Sequence, residues 1–236
     1  MSWRDYWNQD TPIYVNARHK AVHYALIARQ IAEALPPGDV ATGGPAVLDF
    51  GCGEALSADV VAKRCRVLHL CDGAELVRSR LSEKFSRLGN VVVMSPEQLG
   101  EIPPASLDFI VVNSVLQYLS RADLDGLLAT WRGLLKPDGQ ILIADVIPHD
   151  VGPLTDVLAL LKLGAQNGFF IASFFGLART FFSDYRKTRA ALGLSHYSEA
   201  EMLAILAAAG FDARRRQPNL GHNQARMAFA GVKTGI

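Results

Sequence analysis

The sequence predicts an α/β fold in which a parallel sheet is covered by helices on both faces. Three observations carry this expectation. Short, apolar, β-branched runs recur between Val47 and Asp145, helical segments separate them, and the first run ends in a Gly-x-Gly turn. Apolar runs without polar alternation belong to strands buried on both faces. Strand–helix alternation belongs to parallel sheets, because parallel neighbours need a crossover connection. With 236 residues, 50% hydrophobic and 20% charged, the chain can bury one substantial core. A single domain spanning residues 1–236 is the expected organisation.

The chain opens on an aromatic leader, Trp3-Arg4-Asp5-Tyr6-Trp7, followed by Pro12-Ile13-Tyr14-Val15 and a helical pattern from Val15 to about Leu35. Tyr14, Arg18 and His19 fall within about a turn of one another, and His19 and His23 share a face at i, i+4. Two histidines at that spacing can bind a metal, but no acidic or cysteine partner adjoins them, and no metal is assigned. A packed amphipathic helix is the alternative use of the same residues.

Val47-Leu48-Asp49-Phe50 is the first strand, and Gly51-Cys52-Gly53 the turn that follows it. Glycines at Gly51 and Gly53 let the backbone turn tightly and approach a ligand to contact distance. An ordinary strand-to-helix turn would use them equally well. The ligand class is set by the next residue: a dinucleotide pyrophosphate wants no negative charge at the helix N-terminus, and here Glu54 stands there, with Leu56 where a third glycine or alanine is expected. S-adenosylmethionine carries an ammonium and a sulfonium and no phosphate, so Asp49 and Glu54 can face it without repulsion. Arg66–Asp72 is the second strand, and its terminal Asp72, roughly 20 residues beyond the turn, suits either a ribose or the cap of the next helix. Val91–Met94 is the third strand, followed by Ser95-Pro96-Glu97-Gln98, where Ser95 or Glu97 would accept from an adenine amino group. Leu107–Asn113 and, after a helix ending at Lys136-Pro137-Asp138-Gly139, Gln140–Asp145 complete the series. In such a sheet ligands lie at the carboxyl ends of the strands, where Gly51, Asp72, Ser95, Asn113 and Asp145 would converge.

These motifs, in this order, resemble the class I S-adenosylmethionine-dependent methyltransferases, particularly the small-molecule branch, over roughly residues 40 to 232. Val47–Gly53 looks like the family's first motif, Asp72 like its acidic ribose ligand, and Leu134–Gly139 like the turn before its fifth strand. The resemblance implies a doubly wound, Rossmann-like, seven-stranded sheet, mostly parallel with an antiparallel last strand, which Gln224–Ala230 would supply after Gly210-Phe211-Asp212-Ala213. It implies S-adenosylmethionine as cofactor, held by Asp49, Gly51, Gly53, Asp72, Ser95 and Asn113. A helical region over residues 1–40 would cover it, with Arg18 pairing to the methionine carboxylate and Tyr14 lining the methyl path. Glu54-Ala55 and Ser95 depart from the usual pattern, the latter where an acidic residue often meets adenine.

A second helical region, residues 153–193, stands between the fifth strand and the helix beginning near Ser198. Its run Leu163–Ala178 carries no charge, yet Lys162 and Arg179 bound it below the roughly 18 residues that span a bilayer. As a lid over the substrate mouth its phenylalanines, Phe170 and Phe174 among them, suit a small hydrophobic or aromatic acceptor, and Gln117 and Tyr118 would approach from the sheet side. The same phenylalanines would serve equally as packing on the sheet, and the downstream cluster Arg186-Lys187-Arg189 offers a third reading, peripheral contact with a membrane. In-line displacement at a sulfonium methyl chiefly needs positioning and exclusion of water. An alcohol or weakly acidic phenol would also want a proton acceptor, for which His19, His23, His149 and His222 are the candidates.

A net charge of +1 gives no general attraction to nucleic acid, and Arg214-Arg215-Arg216 reads as a solvated strand edge. Three cysteines form neither a metal spacing nor an even disulfide set. With no basic region running into an apolar signal core at Met1–Tyr6, the reducing cytoplasm is the expected compartment. Beside the methyltransferase stand two other classes: another Rossmann-type enzyme, such as an aminopropyl transferase or dehydrogenase, and a non-catalytic fold that binds lipid or protein.

Overall fold

A computed structural model describes residues 14–37, 43–181 and 193–235. The aromatic leader Trp3–Trp7 and the basic cluster Arg186, Lys187 and Arg189 lie outside the described residues. In chain order the elements are α1 (Ala17–Ala34), β1 (Ala46–Phe50), α2 (Ala58–Ala62), β2 (Val67–Cys71), α3 (Glu75–Phe85), β3 (Val91–Met94), β4 (Leu107–Asn113), α4 (Arg121–Leu134), β5 (Leu135–Val146), α5 (Pro153–Asn167), α6 (Phe170–Phe181), α7 (Glu199–Ala208), β6 (Phe211–Arg216) and β7 (Met227–Lys233). The strands form one seven-stranded sheet in the order β3-β2-β1-β4-β5-β7-β6. Neighbours from β3 to β5 are parallel, while β7 runs antiparallel to both β5 and β6. This is the doubly wound sheet with an antiparallel last strand that the sequence implied.

Alternate residues of each central strand enter opposite cores, which is why those strands read as unbroken apolar runs. Leu48, Ile110, Val112 and Phe229 pack with Trp131, Leu124 and Met202 from α4 and α7. Val47, Phe109, Val111 and Leu70 pack with Ile27 and Ile31 of α1, Val61 of α2 and Leu81 of α3. Helix starts follow local chemistry. Asn16 caps α1 by accepting the His19 N–H (2.8 Å), and capping boxes open α4 (Ser120, Asp123) and α7 (Ser198, Glu201).

Two strand boundaries differ from the sequence reading. Leu135 already pairs with Leu107, so β5 starts before the Lys136–Gly139 turn, which becomes an irregularity inside the strand with Asp138 at φ 63°. β7 starts at Met227 and not at Gln224, because the Gln224 amide holds a turn against Asn219 and Gly221. Among the described residues no helix is long and apolar enough to cross a membrane.

Candidate cofactor and acceptor site

The carboxyl ends of β1, β2 and β4 form a polar floor. After β1 the chain reverses through Gly51 (φ 72°) and Gly53 (φ 57°), with Gly51 and Cys52 N–H both donating to Cys71 O (2.8 and 3.1 Å). Left-handed φ alone favours glycine at both places, and space does too. A Cβ on Gly51 would stand 2.2 Å from Val115 Cγ2, and one on Gly53 2.9 Å from the Tyr24 hydroxyl. The close neighbours of this turn are therefore the β4 loop and α1.

Asp72, at the end of β2, accepts the Gly53 N–H on one carboxylate oxygen (2.9 Å) and the Ala74 N–H on the other (2.8 Å). It thus closes the turn that leads into α3, whose N-cap is Ala74, and it also grips the glycine turn. Each oxygen keeps a second lone pair, and two adjacent acceptors of this kind can take the two hydroxyls of a ribose. Burial pushes the Asp72 carboxyl up, against the pull of those two amides and Arg78. Asp49 lies beneath, with no hydrogen bond or ion pair among the described residues, and burial and the neighbouring Asp72 push it up to about 7. A buried acid in that state favours a cationic ligand. Glu54 does not supply a free charge: Lys20 pairs with it at 2.5 Å.

On the β4 side, Asn113 Oδ1 and Gln117 Oε1 are buried acceptors without a hydrogen-bond partner among the described residues, although Gln117 Nε2 donates to Ser114 O (2.9 Å). Ser95, the residue after β3, is buried, its N–H donating to Gln98 Oε1 (2.9 Å) at the start of a 3-10 turn, Pro96–Glu101. The orphaned acceptors, the unpaired Asp49 and the two-oxygen face of Asp72 together fit an adenosyl group with a cationic amino-acid tail.

Helix α1 forms the roof over the glycine turn. The Glu54 N–H donates to the Tyr24 hydroxyl (3.1 Å), which is also hydrogen-bonded to Tyr14. Tyr14 packs against His19 and His23 with ring centroids 5.3 and 5.5 Å apart. Tyr118, in the 3-10 turn Leu116–Tyr118 after β4, lies within electrostatic reach of Tyr14. Arg18 is exposed, and its guanidinium stands by Gly168 at the end of α5. Of the lid phenylalanines, Phe170 and Phe174 point outward from α6. The ring that stacks on His19 (5.2 Å) is their neighbour Phe169.

Asp145 was expected at the strand ends, but sequence reasoning missed the polar chain that it anchors across the β5 side. Ser114 and Asp145 both adopt left-handed φ (60° and 59°) and are hydrogen-bonded through Ser114 Oγ (2.7 Å). Asp145 N–H donates to Asn219 (2.9 Å), Asn219 donates to Asn223 O (3.0 Å), and Asn223 donates to Asp156 (2.7 Å). Arg226 donates to both Asp156 oxygens (2.9 Å each) and lies 3.9 Å from Asp145. Strained non-glycine backbone of this kind clusters where a site needs it. The sequence signal was the run of polar and glycine residues from Pro218 to Gln224 between two strands.

Residues 48–143 match the family model described as a methyltransferase domain. An uncharacterized methyltransferase of Geobacillus kaustophilus is 29% identical over 108 residues, 45% of this chain, and the chain spans about half (49%) of that relative's length. The magnesium protoporphyrin IX methyltransferase of Synechocystis PCC 6803, solved with bound SAM, superposes with a TM-score of 0.61 at 16% identity, covering 98% of this chain and 95% of that one. Human N-acetylserotonin methyltransferase, in complex with SAM, superposes with 0.57 at 15% identity over 92% and 55%. Residues 48–143 thus match a methyltransferase domain, and the seven-stranded sheet has the fold of these solved S-adenosylmethionine-dependent methyltransferases.

Proposed function

We propose that the protein transfers a methyl group from S-adenosylmethionine to a small hydrophobic or aromatic acceptor by in-line displacement. The observation that carries the reading is Asp72, whose one oxygen accepts from the Gly53 N–H of the glycine turn and the other from the Ala74 N–H, each keeping a lone pair for a ligand at the carboxyl end of β2. In this reading Asp72 takes the ribose, Gly51 and Gly53 let the chain pass close to the ligand, and Asp49 with Asn113 receives the ammonium of the amino-acid tail. The cofactor supplies an electrophilic methyl. The chain supplies orientation and a dry cover, through α1 and the helical pair α5 and α6. S-adenosylhomocysteine should therefore raise the melting temperature and bind by calorimetry, whereas NAD should do neither; the reverse preference would refute the assignment in favour of a dehydrogenase.

A second reading concerns where the acceptor comes from. Leu154, Leu158, Phe170, Ile171, Phe174 and Phe175 are 47–72% exposed on α5 and α6, an outward apolar surface of a kind that soluble chains keep for partners or lipid. Co-flotation with phosphatidylglycerol vesicles, lost in Phe174→Ser/Phe175→Ser, would support peripheral membrane contact. Flotation unchanged by those substitutions would refute it.

A further inference from the structure

Three histidines from distant parts of the chain meet above the strand ends. His19 and His23 stand one turn apart on α1, and His222 comes from the β6–β7 loop, which the Gly221 N–H ties to Gln30 Oε1 on the same helix (2.7 Å). The three ring centroids lie 6.1–6.4 Å apart. Tyr14 packs on two of them, and Phe169 stacks on His19. The cluster is bracketed by the site already described: Glu54 and Tyr118 reach Tyr14, and Asp156 and Arg226 reach His222.

The tautomer of His19 decides what such a cluster can hold. Burial brings its pKa down to about 4, so the ring is neutral and has one donor and one acceptor nitrogen. His19 Nδ1 accepts the Val15 N–H (3.4 Å), so the ring proton sits on Nε2. That nitrogen is buried without a hydrogen-bond partner among the described residues, in a residue only 5% exposed. A metal would need the lone pair that Nε2 lacks in this tautomer, and an ammonium would present only more donors. The group that satisfies this orphan is an oxygen lone pair.

Resting on the methyltransferase reading, we propose that His19, His23 and His222 form the acceptor subsite, and that it takes a phenolic or enolic hydroxyl whose oxygen accepts from His19 Nε2 while its proton passes to His222. The O–H bond breaks to leave its pair on oxygen, that oxygen forms the new bond to the methyl carbon, and the C–S pair departs with the thioether. His222 is assigned as the proton acceptor by its place: burial brings its pKa down and Arg226 lowers it further, but it alone of the three stands beside a carboxylate, Asp156, that pulls it back up. His23, by contrast, is brought down to about 3 by burial and by the other two imidazoles. Imidazoles held this low are weak bases, so a hydroxyl with a pKa of about 10 or below suits them better than an aliphatic alcohol. The flat Tyr14 and Phe169 rings favour a planar partner.

The probe is 4-nitrophenol, titrated into the complex with S-adenosylhomocysteine. Nitrogen NMR of labelled histidines should show His19 protonated at Nε2, with that resonance moving as the probe binds. 4-Nitroaniline, of the same shape without the hydroxyl oxygen, should bind at least tenfold more weakly. His19→Phe, which keeps the stack on Phe169 but has no donor, should lose at least tenfold in 4-nitrophenol affinity while S-adenosylhomocysteine affinity stays within twofold. A complex that ignores 4-nitrophenol, prefers 4-nitroaniline, or shows His19 protonated at Nδ1 overturns the subsite. Should His19→Phe fail to fold, the NMR and the probe pair on the wild type still decide. Failure of S-adenosylhomocysteine itself to bind would instead strike the methyltransferase reading.

Discussion

At the scale of single residues, two carboxylates carry opposite duties. Asp72 is a held acceptor, and replacing it by alanine removes both its grip on the Gly53 N–H and any ribose contact. Hydrogen bonds to a charged group are worth about 1.5–3 kcal/mol, so Asp72→Ala should weaken S-adenosylhomocysteine roughly 10- to 100-fold by calorimetry; an unchanged affinity would reduce Asp72 to a residue that closes turns. Asp49 is instead a destabilised acid. Its folded pKa of about 7 lies above the 3.8 of an exposed aspartate, so the folded state holds its proton more tightly and stability falls as pH rises from about 4 to about 7. A cationic ligand favours the carboxylate. Cofactor affinity should therefore tighten as pH rises from 6 to 8 and level off above, and Asp49→Asn should flatten that dependence while raising the ligand-free melting temperature at pH 8.

At the scale of elements, helix α1 is bolted to the glycine turn it covers, through Lys20 to Glu54 and the Glu54 N–H to Tyr24. Tyr24→Phe leaves that buried amide and the Tyr14 hydroxyl short of a partner, and should cost about 1–3 kcal/mol, read as a lower denaturant midpoint with an unchanged m-value. The helix was legible in the sequence because its apolar period and Asn16 cap are local signals. Tyr24 was not singled out, because its partner lies 30 residues away in the chain. The same limit governs α5 and α6. Composition showed an apolar helical segment, but which phenylalanine turns inward depends on where α5 stops at Gly168 (φ 73°), and that termination selects Phe169 over Phe170 and Phe174. The two helices cross where Gly164 has no side chain: a Cβ there would stand 2.5 Å from Ser173 Oγ and 3.1 Å from Phe170 Cα. Gly164→Val should push them apart at a cost of about 1–3 kcal/mol, visible as a lower melting temperature.

At the scale of the whole molecule, most of the sheet was readable because each parallel strand is a self-contained apolar run, and Gly51, Gly53 and Asp72 are spaced along the chain as they are in space. What joins the far side of the site was not. β7 inserts between β5 and β6, and this brings Arg226, at the mouth of β7, against Asp145 at the end of β5 and Asp156 on α5. No local pattern records such a meeting, since α6, α7 and β6 lie between Asp156 and Arg226 in the chain. The consequence is a charge network around the buried Arg226 on which the β5 side of the site rests. Arg226→Met keeps the packing volume but takes the arginine from two half-buried carboxylates, and because water still reaches them the cost should fall below the about 3–5 kcal/mol of a fully buried pair. The sign of its pH dependence follows. Burial already pushes Asp145 up and Arg226 pulls it back, so without the arginine the Asp145 pKa rises further, and its protonated form relieves the repulsion at low pH. The deficit of Arg226→Met relative to wild type should therefore be largest near pH 8 and shrink as pH falls toward 5, and Arg226→Met/Asp156→Asn should recover part of it at pH 8. A deficit that is independent of pH, or that the second substitution deepens, would show that the arginine acts through its packing and not through its charge.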